Sequence, residues 1–104
     1  MATVTVTYIL EQDEGKTEYP TSDRTRFEAA KTSGAIVSNT KTPITDPSQV
    51  VAGKTRHQVT RVWRSDQDRL DYNAACRADA ALQTYLTNSN TRKVNEVITT
   101  NSEA

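Results

Sequence analysis

Residues 3 to 12 alternate between apolar and polar positions. Val4, Val6, Tyr8 and Leu10 fall on one side, with Thr3, Thr5, Thr7 and Ile9 on the other. That two-residue period is the signature of a strand. Asp13-Glu14-Gly15-Lys16 reads as a turn, and residues 17–20 as loop. A short helix is expected from about Asp23 to Thr32, with Ser22 as its N-cap and Gly34 ending it. Only Phe27, Ala29 and Ala30 give it an apolar face, so its stability must come from packing. Ala35 to Thr42 reads as a second strand, closed by Pro43. A loop follows, from Thr45 to Lys54. The third strand, Thr55 to Arg64, carries His57, Val59, Arg61 and Trp63 on one face and Gln58, Thr60, Val62 and Arg64 on the other.

Ser65 stands three residues before Asp68, a capping-box-like start for a long helix from Asp66 to about Thr87. Leu70, Ala74, Ala78, Ala81, Leu82 and Tyr85 share a stripe at helical spacing and are the expected core face. The Arg77-Ala78-Asp79-Ala80 stretch is a possible kink or step from one helix to another. Asn88-Ser89-Asn90 ends the helix, Arg92 to Thr100 forms a last strand, and the final four residues are expected to fray.

The order is β-α-β-β-α-β in a single domain, residues 1–104, with no internal repeat or linker. Its compact solution is α+β and ferredoxin-like: a four-stranded antiparallel sheet with two helices on one face. Apolar residues of both parities in the strands imply that the helix-free sheet face is not wholly polar. Bare apolar sheet invites a partner, and the expected partner is a second copy packed sheet to sheet, giving a dimeric α+β barrel.

Composition sharpens this picture. Apolar residues make up 35% of the chain, and 11 of them are alanines, so large core-formers are few. A domain of 104 residues with so thin a core gains from association. Seventeen threonines, many beside Val or Ile, favour pleated surfaces. Thirteen basic and thirteen acidic residues cancel, which argues against a nucleic-acid or membrane-surface partner. No apolar run approaches the roughly 20 residues of a membrane span, and the amino-terminal alternation reads as strand rather than secretory signal. Cys76 is the only cysteine, so no intrachain disulfide forms. The expected setting is a reducing one, the cytoplasm.

The segment Val62-Trp63-Arg64-Ser65-Asp66-Gln67-Asp68-Arg69-Leu70-Asp71-Tyr72 resembles the strand-to-helix junction of the dimeric α+β barrel superfamily. That superfamily includes antibiotic-biosynthesis-type and quinol monooxygenases and related haem-degrading proteins. Trp63 at the strand end, the Ser65 cap, Asp66 and Tyr72 carry the likeness. The resemblance implies the paired-sheet dimer and raises cofactor-independent oxygenase chemistry. Haem-degrading members ligate iron through a histidine on the second helix, and Arg77 to Leu86 contains none. No cofactor is therefore expected.

The residues most able to line a ligand pocket or an interface are His57, Arg61, Trp63, Tyr8 and Tyr72. His57 titrates near neutral pH and can act as a base or hold a ligand, yet a hydrogen-bonded strand histidine is the commoner case. Trp63, between Arg61 and Arg64, can stack on a planar ligand but more often anchors a core or interface. Arg56, Arg61, Arg64 and Arg69 form a basic concentration, with Asp66, Asp68 and Asp71 near enough in sequence to neutralise it. Cys76, mid-helix, reads as a small buried hydrophobe rather than a nucleophile. One His and one Cys do not make a zinc set, and the third strand lacks the glycine–aromatic pattern of an RNA recognition motif. The sequence thus favours a homodimeric barrel that holds a small apolar or aromatic ligand. A cofactor-independent monooxygenase-like or isomerase-like enzyme and a self-associating assembly component stand as alternatives.

Overall fold

A computed structural model describes residues 2–16 and 18–101. The elements run β1 (Val4–Asp13), α1 (Thr21–Ser33), β2 (Ile36–Pro43), β3 (Lys54–Trp63), α2 (Asp66–Ala78), α3 (Ala80–Asn88) and β4 (Arg92–Thr100). Residue 17 of the expected loop and residues 102–104 of the expected frayed end lie outside the described residues. The class is α+β, and the four strands form one sheet in the order β2-β3-β1-β4 with every neighbour antiparallel. β1 and β2 therefore run parallel with β3 between them, and α1 makes the crossover. This arrangement is compatible with the ferredoxin-like expectation.

Among the described residues three helices replace the two expected. The second helical stretch breaks at Asp79, whose backbone is extended (φ −87°, ψ 100°). Its carboxylate accepts from the Leu82 backbone N–H at 3.1 Å, so Asp79 closes α2 and caps α3. Two groups from α1 hold it there: the Ser22 hydroxyl at 2.7 Å and the Arg26 guanidinium at 2.5 Å. Ser22 is thus spent on a contact between helices and does not cap α1. That helix begins at Thr21 behind Pro20, with no side-chain cap.

The core lies between the sheet and the helices. Val4, Val6, Tyr8, Ile36, Val59 and Trp63 are buried together, with Leu10, Phe27, Ala30 and Tyr72 packed against them. Register accounts for the grouping. Val4 stands opposite Trp63 and Tyr8 opposite Val59, so these side chains share the helix-covered face.

The orientation of α2 differs from the expected stripe. Leu70 is 45% exposed, and Ala74, Ala78 and Ala81 also face solvent. The half-buried positions on α2 include Arg69, Tyr72, Asn73 and Cys76, a stripe at i, i+3, i+4 and i+7. Of the expected stripe, only Leu82 is buried and Tyr85 half-buried. Two contacts set the rotation. Tyr72 lies against Trp63 with ring centroids 5.1 Å apart, and Ser65 accepts from the Asp68 N–H at 3.2 Å. The aromatic contact turns the Tyr72 side of α2 to the sheet and adds its own geometric preference.

Candidate functional site

The strands bring four of the five candidate residues together. Val6, Tyr8, Arg61 and Trp63 on the sheet meet Arg69 and Asn73 on α2 around one crevice, which Lys93 and Glu96 of β4 close. Tyr72 adjoins this group through its contact with Trp63. The Arg61 guanidinium lies over Phe27 at 5.0 Å, Trp63 at 5.8 Å and Tyr72 at 6.0 Å, and its Nε donates to Asn39 Oδ1 at 2.8 Å. A cation of this chain already occupies the aromatic cluster. The crevice encloses about 10 Å³, room for about one water and no organic ligand. Burial raises the Tyr72 phenol above its usual range, so it is a neutral donor and no base at ordinary pH.

His57 stands apart from this cluster, opposite Leu10 on β1 and Pro43 on β2. Desolvation, and then the charge of Lys41, push its pKa below 6.5. It is neutral at neutral pH, and no triad-like partner bonds to it among the described residues. Burial raises the Cys76 thiol, with the Arg26 guanidinium opposing the effect. Cys76 is held as a thiol, because burial outweighs the Arg26 guanidinium 3.9 Å from its Sγ. Among the described residues no group of three His, Cys, Asp or Glu side chains is placed to hold a metal ion. No helix is long and apolar enough to cross a membrane. A larger groove of about 390 Å³ lies elsewhere, between the β1–α1 connection and α3, lined by Lys16, Glu18, Ala81, Tyr85 and Ser89. It is open at the surface, and Tyr85 is already engaged through donation to Lys16 O at 2.6 Å.

The basic concentration divides in two. Arg64 grips Asp68 through two bonds, 2.9 and 3.0 Å, and Arg69 pairs with Asp66 at 2.8 Å, as the sequence led us to expect. Arg56 instead crosses to Glu11 on β1. Its Nε lies 3.0 Å from Glu11 Oε2, off the hydrogen-bond line, while its Nη1 donates to Gln49 O at 2.6 Å. Arg92 of β4 donates to the other Glu11 oxygen at 2.9 Å. The Arg92 bond, opposed by burial and aided by both guanidinium charges, holds the Glu11 carboxyl below 4.5. This Arg56–Glu11–Arg92 bridge lies across three strands on the helix-free face. Sequence reasoning missed it because the pairing crosses strands; its one signal was Glu11 continuing the outward register of Thr5, Thr7 and Ile9.

The rest of that face follows from the same registers. Cross-sheet rows run Ser38–Val62–Thr5–Thr99, then Thr40–Thr60–Thr7–Val97, then Thr42–Gln58–Ile9–Val94. Six threonines alternate with four aliphatic side chains, and charge is confined to the bridge and to the neighbouring Asp13–Lys54 pair at one end. Ile9 is buried, Thr5, Thr7, Thr60 and Val62 are half-buried, and Val97 is 55% exposed. No helix covers this side: α1 packs on β2, α2 on β3, and the helices on one another.

No family model matches the chain, and no curated protein is similar to it.

Proposed function

We propose that the chain works as a homodimer joined through the helix-free sheet face into a dimeric α+β barrel, and that association, rather than catalysis within one protomer, is its function. The observation that carries this reading is the threonine–aliphatic face itself. It is uncharged over three consecutive cross-sheet rows and has no helix over it. Four strands about 4.8 Å apart and about 30 Å long, with the charged end of the face included, give a footprint of roughly 600 Å² per protomer, or about 1,200 Å² in a pair. That reaches the lower bound of stable interfaces. The thin core supports the same reading, because among the described residues its central cluster has six buried apolar side chains, a layer that gains from further burial. A small apolar or aromatic guest would lie between the two sheets, since the crevice under α2 holds about 10 Å³.

Thr60→Arg tests the proposal. Thr60 sits in the middle row beside Thr7, where a guanidinium has no acidic partner within the face. The expected result is a dimer for the wild type at micromolar concentration and a folded monomer for the variant, both by sedimentation. Equal masses for the two proteins would remove the helix-free face from the interface.

A further inference from the structure

The two edges of the sheet are not equally guarded. β2 carries three devices that discourage a further strand: a register break between Ile36 and Ser38, the charge of Lys41, and Pro43 at its end. β4 carries its devices only in its first half. Arg92, Lys93 and Glu96 are charged, and Asn95 has a positive φ of 55° beside the register shift opposite Thr7 and Ile9. The second half, Val97-Ile98-Thr99-Thr100, is uncharged and wholly β-branched. It pairs with β1 on one side only. Val97 is 55% and Ile98 46% exposed, and α2 meets β4 only around Lys93 and Glu96, in its first half. A free edge of this composition is a template for another strand.

We propose that Val97–Thr100 pairs antiparallel with the same segment of a second copy, making one continuous eight-stranded sheet. The occupant follows from register and charge. An edge-to-edge two-fold axis keeps like faces together, so the residue on the axis meets itself. With Ile98 on the axis, Val97 faces Thr99 and Glu96 faces Thr100 of the other copy, and no like charges meet. Two exposed isoleucines cover one another, and the unpaired backbone groups of both edges are satisfied. This contact is separate from the sheet-face dimer and does not rest on it. Ile98 and Thr100 share the helix-covered side with Val6 and Val4, whereas the dimer face is the opposite one. A chain with both contacts assembles beyond the dimer.

Four proteins measured by sedimentation at low and high concentration decide the matter: wild type, Ile98→Lys, Thr60→Arg and the double variant, with Thr100→Glu, which sets a carboxylate against Glu96 of the other copy, as a second edge variant should Ile98→Lys fold poorly. Lysine at 98 brings two ammonium groups face to face on the axis. The wild type is expected to grow beyond a dimer as concentration rises, and Ile98→Lys to stop at the dimer. Thr60→Arg should be a monomer at low micromolar concentration and dimerise through the edge as concentration rises, and the double variant should stay monomeric. The edge contact is overturned if Ile98→Lys and Thr100→Glu match the wild type at every concentration, or if the wild type never exceeds a dimer and Thr60→Arg is a monomer throughout. Failure of the sheet-face reading looks different: Thr60→Arg would then match the wild type while Ile98→Lys loses mass.

Discussion

Val59→Ala tests the placement of the core. Val59 is 2% exposed on the helix-covered side of β3, opposite Tyr8. The substitution deletes two buried methyl groups between Tyr8 and its neighbours, and the surrounding sheet can close the gap only in part. Lost transfer free energy and the residual cavity together come to about 2 kcal/mol. A chain of 104 residues holds about 5–15 kcal/mol in all, so the loss is a substantial fraction. Urea unfolding followed by the fluorescence of Trp63, the only tryptophan and itself 2% exposed, reports it directly. With a denaturant slope of ~1.5 kcal/mol per M, the midpoint should fall by about 1.3 M. A midpoint within about 0.3 M of the wild type would refute the burial of Val59 and the face assignment built on it.

Two further outcomes follow from local geometry. Ser65→Ala removes the side-chain oxygen that accepts the Asp68 N–H at 3.2 Å. It should lower stability by about 1 kcal/mol, and a denaturation midpoint equal to that of the wild type would contradict the cap. Asp79→Asn addresses the joint between α2 and α3. Bonds from Arg26, Ser22 and the Leu82 N–H hold the Asp79 carboxyl at about 2, against 3.8 when free. A depressed folded-state pKa stabilises above the unfolded value, and that contribution fades as pH falls from 3.8 towards 2. The variant should therefore melt below the wild type at neutral pH, with the gap narrowing through that window. A gap of constant size down the acid limb would show that the Asp79 charge is not what clamps the helices.

Much of the fold was legible from period and caps. The alternation of Val4, Val6 and Tyr8 against the threonines marked β1 and its two faces, and Ser65 with Asp68 marked the start of α2. β4 runs from Arg92 to Thr100, as its pattern indicated. What failed was governed by contacts distant in sequence. The stripe through Leu70 and Ala74 had helical spacing, but the Trp63–Tyr72 contact and the polar underside of α2 turned it to solvent. Asp79 broke the long helix because Ser22 and Arg26, more than fifty residues earlier, hold its carboxylate. Among the candidate residues, Tyr8, Arg61, Trp63 and Tyr72 do converge, yet as packed core around a guanidinium. Pattern reveals proximity, whereas room for a ligand depends on side-chain volumes that only packing fixes.

Isotope-filtered nuclear Overhauser spectra of a mixture of labelled and unlabelled wild-type protein test the association through the helix-free face most directly. Two sheets packed face to face lie about 10 Å apart, with interleaved side chains. The account predicts intermolecular cross-peaks from the Thr7, Thr60 and Val62 methyl groups at concentrations where the protein sediments as a dimer. A dimer showing no such cross-peaks, with those methyls in contact with water, would contradict it.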